Sequence, residues 1–408
     1  MLILVFTIVK FSLITFVNQF PRMIKNLNLE ELFFAHKEDA LSHRYITNNH
    51  IETLLKNLNS GFSVAIIGSS VNAKPIYGVK IGTGQKKVLM WSQMHGNEST
   101  TTKALFDIFN CFHADEFSAI LKVCSFYFIP ILNPDGAYAY ARVNDNNIDL
   151  NRDAQDLSQP ESKVLRQVFE KFKPDFCFNL HGQRTIFSAG KTNNSATLSF
   201  LAPAQDVECT ITENRKKAMN IIGAINTKLQ SYIPNQIGIY DDAFNINCVG
   251  DTFQSENVPT VLFEAGHYAN DYAREEVRKY IFISMIVALN EIVYNEHLGK
   301  NYESYLKILE NKKLFYDIII RDAKIIVDQK ESILDIAVQF DEVLNEGKVH
   351  FEPKIKNFGD LSQYYGHKVI SANKEATQLA DNVRLEVGNS IDFVMIKNKL
   401  FSLNSINN

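Results

Sequence analysis

His95 and Glu98, in the run Met94-His95-Gly96-Asn97-Glu98, stand just after the apolar segment Lys87-Val88-Leu89-Met90-Trp91. A strand that ends in His-x-x-Glu as a helix begins brings an imidazole and a carboxylate to one point, because residues three apart share a helix face. Zinc takes nitrogen and carboxylate oxygen ligands, and a catalytic site holds it with three protein groups and one open position. The pair is therefore half of a candidate zinc site. The spacing alone is weak, and a second copy exists at His113-Ala114-Asp115-Glu116. That copy follows the expected helix Thr101–Phe112 with no strand feeding it, and reads as a solvated helix end.

Further polar clusters follow in order. The apolar strand Ser125–Leu132 runs into the turn Asn133-Pro134-Asp135-Gly136, then come Arg142 and, ten residues later, the Arg152 of Asp149-Leu150-Asn151-Arg152. The strand Asp175–Leu180 ends at His181-Gly182, and Pro259–Phe263 ends at Glu264-Ala265-Gly266-His267. Alone, His181 reads as a core histidine and Glu264 as a cap or ion-pair partner. Together the clusters lie at the carboxyl ends of strands, where open α/β sheets bind ligands.

In this order the motifs resemble the zinc carboxypeptidase family of the pancreatic carboxypeptidase A type, over residues 60–295, about three-fifths of the chain. The resemblance implies one Zn2+ per chain, with His95, Glu98 and His181 as its ligands. It implies Glu264 as the general base for the attacking water, Arg142 as the group that polarises the scissile carbonyl, and Asn151 with Arg152 as the grip on the substrate's C-terminal carboxylate. Zinc lowers the pKa of a bound water to about 7, and a neighbouring glutamate can act as acid and base in turn. An arginine aimed at the carbonyl oxygen acts most strongly in the transition state. A second arginine offers a planar fork that matches a carboxylate and so selects chain ends. The implied partner is a peptide with a free C-terminus.

Two family positions transfer less directly. The tyrosine that closes over substrate about twenty-two residues before the base falls at Asp242, with Tyr240 two residues away as the candidate. The residue flooring the specificity pocket, about fifteen before the base, is Val249, which predicts a preference for apolar C-terminal side chains. The run Asp153-Ala154-Gln155 also departs from the family's aromatic-containing sequence. The His-Gly-Asn-Glu and Asp-Leu-Asn-Arg usage resembles a second class as well, the zinc-dependent N-acyl amino acid deacylases of the aspartoacylase and succinylglutamate desuccinylase type. Asn133–Gly136 ahead of Arg142 and the long interval from His181 to Glu264 favour the peptidase. A non-catalytic binding protein is a third reading, which the intact ligand set and Glu264 oppose.

The expected fold is α/β: a mixed β-sheet with helices on both faces, followed by a small all-β domain. Helices are expected at Leu29–Leu41, His50–Asn59, Glu161–Lys173, Thr212–Leu229 and Arg274–Tyr294, and a hairpin at Ser63–Gly68 with Ile76–Ile81. Past residue 300 short strands are expected at Leu314–Ile320, Ile333–Val338, Lys348–Phe351 and Asp392–Ile396, with breaks at Glu346-Gly347 and Val387-Gly388, as in a small sandwich. The division is an apolar extension over 1–22, a catalytic domain over 23–298 and a β domain over 299–408.

With 408 residues, 46% of them hydrophobic, the chain can bury a large core. A net charge of −4 gives no electrostatic case for nucleic acid. The five cysteines are odd in number and mostly within apolar elements, as free thiols of a reducing compartment would be. The extension is short for a span and interrupted by Lys10, and it lacks the charge and cleavage pattern of a signal. The expectation is a start at Met23 and a cytoplasmic protein. A membrane anchor or an export signal is the alternative, and membrane contact follows only if residues 1–22 are retained.

Overall fold

Val88, Leu89, Met90 and Trp91 expose no surface at all. They belong to β3 (Lys86–Ser92), one of four parallel strands at the centre of the fold, and strands covered on both faces read as unbroken apolar runs. The computed structural model describes residues 27–327, 330–380 and 383–404; the extension expected over 1–22 lies outside the described residues. Among these residues no helix is long and apolar enough to cross a membrane.

A ten-stranded mixed sheet runs in the order β1-β2-β4-β3-β5-β9-β7-β8-β10-β6. Its central strands are β4 (Cys124–Ile129), β3, β5 (Phe176–Gly182) and β9 (Thr260–Ala265), all parallel. The expected hairpin is present as β1 (Ser63–Ser69) and β2 (Pro75–Ile81), paired antiparallel. On the far edge stand β7 (Leu198–Leu201), β8 (Ile237–Ile239), β10 (Leu309–Lys313) and β6 (Phe187–Ala189). β10 joins this sheet although it lies beyond residue 298.

Strand alternation splits the core in two. Val88, Met90, Phe126, Phe128, Phe178 and Phe263 pack with the helices α3 (Thr100–Phe112), α7 (Glu213–Leu229) and α9 (Glu275–Tyr294). Leu89, Trp91, Tyr127, Ile129 and Cys177 face the other way, against α6 (Pro160–Phe172) and α8 (Val249–Ser255). Smaller helices include α1 (Leu29–His36), α2 (Asn48–Lys56) and α4 (Ser118–Val123).

Two of these stop short of the sequence expectation. α1 ends at His36 instead of Leu41 because the buried Asp107–Arg278 pair captures the next residues. Asp107 accepts from the Glu38 N–H (2.8 Å), and Arg278 donates to the carbonyls of Leu41 (2.6 Å) and Glu38 (2.9 Å). α2 starts earlier than His50, where Thr47 and His50 form a capping box, and ends at Lys56 instead of Asn59.

The C-terminal region holds two sheets, with strands far longer than expected. β11 (Phe315–Val327), β12 (Lys330–Asn345), β13 (Lys348–Gly359) and β14 (Tyr365–Ser371) form one, in the order β13-β12-β11-β14. β15 (Thr377–Leu379), β16 (Phe393–Ile396) and β17 (Lys399–Ser402) form the other. Ile318, Ile336, Val338, Ile355, Val394 and Leu403 share one core, so the two sheets pack as a sandwich. Charged residues such as Lys324, Asp341 and Lys354 break the apolar runs in sequence, yet ladder pairing carries the strands through them. Glu346 (φ 48°) and Gly347 (φ 75°) make the two-residue turn between β12 and β13, as left-handed backbone at both positions requires.

The sandwich docks through buried rings. His267 packs at a tilt between Tyr272 (4.6 Å between centroids) and His367 (4.2 Å), and the His367 ring stacks on Phe315. Burial holds His267 well below the usual imidazole range and His367 at about 4, although the bond from His367 Nε2 to the Thr185 carbonyl opposes the shift. A depressed folded pKa means that the unfolded chain binds the extra proton first. Stability should therefore fall as pH drops from about 6.5 toward 4, with the His367 share on the order of 3 kcal/mol. Thermal unfolding across that range should show a shallower loss in His367→Phe than in the parent chain; equal slopes would remove His367 from the account.

Candidate metal centre

β3 ends at Ser92, and Gln93 turns the chain out of the sheet with left-handed backbone (φ 45°). Its buried side chain holds that turn. Nε2 donates to the carbonyls of Ile46 (3.0 Å) and Gly96 (2.7 Å), and Oε1 accepts from Thr102 Oγ1 (2.8 Å). Gly96 is required sterically, since a Cβ there would sit 1.9 Å from the Gly136 carbonyl carbon. Gly136 lies in the short helix α5 (Pro134–Ala139). Asn133 caps it by accepting from the Gly136 N–H (2.8 Å) and donates to the Met94 carbonyl (3.2 Å). The Asn-Pro-Asp-Gly motif is thus a buttress under the His95 loop.

His95, Glu98 and His181 converge, with one ligand atom from each lying within 4.8 Å of the others. His95 Nδ1 is 2.9 Å from Glu98 Oε1, His181 Nδ1 is 2.9 Å from Glu98 Oε2, and the two ring nitrogens are 3.1 Å apart. The other nitrogen of His95, Nε2, bonds Asp149 Oδ1 (2.9 Å), which leaves the Nδ1 lone pair turned inward. Two inward nitrogens sharing one carboxylate suit a cation better than a proton, and two histidines with one glutamate are a zinc donor set.

Glu264 stands across from His181 in the β5–β9 register. Its Oε2 is buried with no hydrogen-bond partner. Burial and the charge of Glu98 push its carboxyl well above the usual carboxylate range. A cation beside it favours the ionised form that can accept a proton. Arg274 ties the two strand ends together, donating to the carbonyls of Ala265 (2.6 Å) and Gln183 (3.0 Å).

Every group expected from sequence except Val249 opens onto one cavity of about 840 Å³. Arg142 is half exposed and held by Asp149 (3.1 and 3.2 Å) and Glu98 (3.3 Å). Asn151 and Arg152 lie on a short 3₁₀ turn, and Asn151 Oδ1 accepts from the Val249 N–H (3.0 Å). Tyr240 faces the cavity, its hydroxyl bonded to Gln183 Oε1 (2.8 Å), whereas Asp242 turns away to pair with Arg215. Val249 is the correction. It begins α8 on the face shared with Phe253 and packs with Leu150, Leu165 and Trp91. Its neighbours Cys248, Gly250 and Asp251 line the cavity instead.

The sequence reading missed Asp149 as the support of His95, and missed Gln93, Asn179 and Arg274. Asn179 carried a usable signal, since it sits two residues before His181 on the same face of a strand. The other three depend on contacts across long sequence separations.

A two-histidine, one-carboxylate cluster beside a buried glutamate, at the carboxyl edge of a mixed sheet, is the donor arrangement of a metal-dependent hydrolase. The chain belongs to the zinc carboxypeptidase family, whose model matches residues 47–282. That is the first of the two classes its motifs resemble. Carboxypeptidase SOL1 of Arabidopsis thaliana is 28% identical over 178 residues, 36% of this chain and 36% of that protein. Carboxypeptidase 2 of Trichophyton rubrum is 27% identical over 110 residues, 26% of this chain and 20% of that protein. The matched stretches thus span about a fifth to a third of these relatives. In fold, the chain is similar to carboxypeptidase A of Helicoverpa armigera, with a TM-score of 0.50 at 15% identity, covering 66% of this chain and 80% of that one.

Purified chain is expected to hold one zinc after dialysis, measured by atomic emission, and His181→Ala to lose it. Asp149→Ala, with His95, Glu98 and His181 intact, should weaken zinc binding by about 10–100-fold. An unchanged affinity would show that Asp149 does not orient His95.

Proposed function

We propose that the chain is a zinc-dependent carboxypeptidase that removes single residues from the free C-terminus of a peptide. The observation that carries this reading is the shared cavity. His95, Glu98, His181, Glu264, Arg142, Asn151 and Arg152 all open onto it. Zinc held by His95, Glu98 and His181 would supply Lewis-acid polarisation and acidify a water near neutral pH.

The chain's own groups do the rest. Glu264 accepts a proton from the attacking water as its oxygen bonds to the scissile carbonyl carbon. The same carboxyl then delivers that proton to the leaving nitrogen as the C–N bond breaks. Arg142, steadied by Asp149, faces the charge that develops on the carbonyl oxygen, and such donors act most strongly in the transition state. Asn151 and Arg152 take the terminal carboxylate, which excludes internal peptide bonds. Tyr240, hydrogen-bonded to Gln183 at rest, has its hydroxyl available to a bound peptide.

The test uses zinc-loaded chain, a mixed peptide set and C-terminally amidated twins, followed by mass spectrometry. Free-acid peptides should lose single C-terminal residues while the amidated twins stay intact. Glu264→Gln should lower kcat by about 10²–10⁴-fold with zinc still bound. Cleavage of amidated peptides at equal rate would remove the chain-end clamp. Release of acyl groups from N-acyl amino acids with no peptide shortened would transfer the assignment to the deacylase class.

A further inference from the structure

β12 supplies a cavity wall from outside the matched family region. That region ends at residue 282, whereas Gln339, Phe340 and Glu342 of β12 line the cavity shared with His95, Glu98 and His181. The wall stands across from the proposed carboxylate clamp. Asn151 is tied to the start of α8, on the sheet face of Leu89 and Trp91. β12 joins the side of α3 and α9. Glu342 pairs with Arg44, whose carbonyl accepts from the Ser99 hydroxyl just before α3, and Asp317 of β11 accepts from Tyr272, just before α9. A peptide with its terminal carboxylate in the clamp and its scissile carbonyl at Arg142 must carry its earlier residues toward β12. The cavity of about 840 Å³ has room for them, since pockets of that size enclose ligands larger than one amino acid.

Gln339 stands in this wall with one polar atom unpaired. The residue is only 4% exposed, and its Nε2 donates to Thr185 Oγ1 (2.8 Å) and to Asp317 Oδ2. Asp317 also accepts from the Phe340 N–H (2.8 Å) and the Tyr272 hydroxyl (2.8 Å). An ionised carboxylate only accepts, so the Gln339 amide cannot turn over without setting two acceptors against each other. Its Oε1 is thus held away from Asp317. That oxygen is buried and has no hydrogen-bond partner. Buried amide oxygens are seldom left unpaired, and this one belongs to a cavity-lining residue whose orientation is locked.

We infer that Gln339 Oε1 accepts a backbone N–H of the substrate upstream of the scissile bond, so that the C-terminal sandwich binds the acyl side of the peptide. The inference rests on the carboxypeptidase reading. Every residue except proline offers that N–H, so the contact selects for length and not for side chain. The favoured substrates are peptides long enough to reach β12. Shorter ones leave the Gln339 oxygen unpaired.

Zinc-loaded full-length chain would be assayed on free-acid peptides of increasing length, with twins in which each upstream backbone N–H is replaced in turn by an ester oxygen. Once a peptide reaches the wall kcat/KM should rise by about tenfold, and one ester position should cancel that gain, mostly through KM. The Glu264→Gln chain should bind the amide peptide about tenfold more tightly than that ester twin by calorimetry, which reads the contact without turnover. Gln339→Met, or Gln339→Leu should the first fail to fold, should erase the difference between amide and ester. C-terminal residues released with no ester position showing an effect overturn the inference and leave the carboxypeptidase intact. An ester effect of the same size in the folded Gln339 variant overturns the role given to Gln339. No shortening of any free-acid peptide removes the carboxypeptidase reading and the inference with it.

Discussion

Parallel register across β3, β5 and β9 is the constraint on which the rest depends. Trp91 pairs with Asn179 and His181 with Glu264, so the proposed ligand of one strand and the proposed base of the next stand side by side. The loop leaving β3 then brings His95 and Glu98 over the same point. A slip of one residue in any of these strands would turn its site side chain to the opposite face, into the layer of α3, α7 and α9. The apolar core on both sides of the sheet therefore guards the geometry of a cluster that contributes little packing of its own.

That geometry also needs polar scaffolding, and polar groups are costly to bury unless every one finds a partner. Gln93 spends its whole amide on three groups of the turn. Asn133 fastens α5 to the Met94 carbonyl, and Asp149 fixes both His95 and Arg142. Some buried polar atoms are left over. Unpaired buried atoms remain on Glu264, His181 and Asn179, all within or beside the cavity. Others lie away from it, on Trp91, Ser162, His267 and Asn290 among them.

Most of the central sheet could be read from sequence, because unbroken apolar strands feeding polar clusters admit few other arrangements. The same feature made His95, Glu98, His181 and Glu264 visible, each at the end of such a run. Tyr240 could be told from Asp242 only in three dimensions, where Arg215 draws the aspartate away. Val249 falls outside the cavity lining because counting back from Glu264 fixes a position along the chain and not a helix face. The β region was underread because its strands carry charge on exposed positions, and pairing between strands is invisible to a single-strand pattern. The end of α1 was set by Asp107 and Arg278, partners more distant than a local window can see.

β12 does more than complete a sandwich. Gln339, Phe340 and Glu342 line the same cavity as His95, Glu98 and His181, and Gln339 bonds Thr185, four residues after His181. Glu342 meanwhile pairs with the buried Arg44 and accepts from the Tyr140 hydroxyl (2.6 Å), both parts of the α/β body. Cutting the chain after β10 would thus strip one wall from the cleft and strand a guanidinium in the interior with no carboxylate to answer it. The C-terminal region is therefore held to the α/β body by a buried charge pair as well as by a shared cavity wall, so the two halves of the chain stand or fall together.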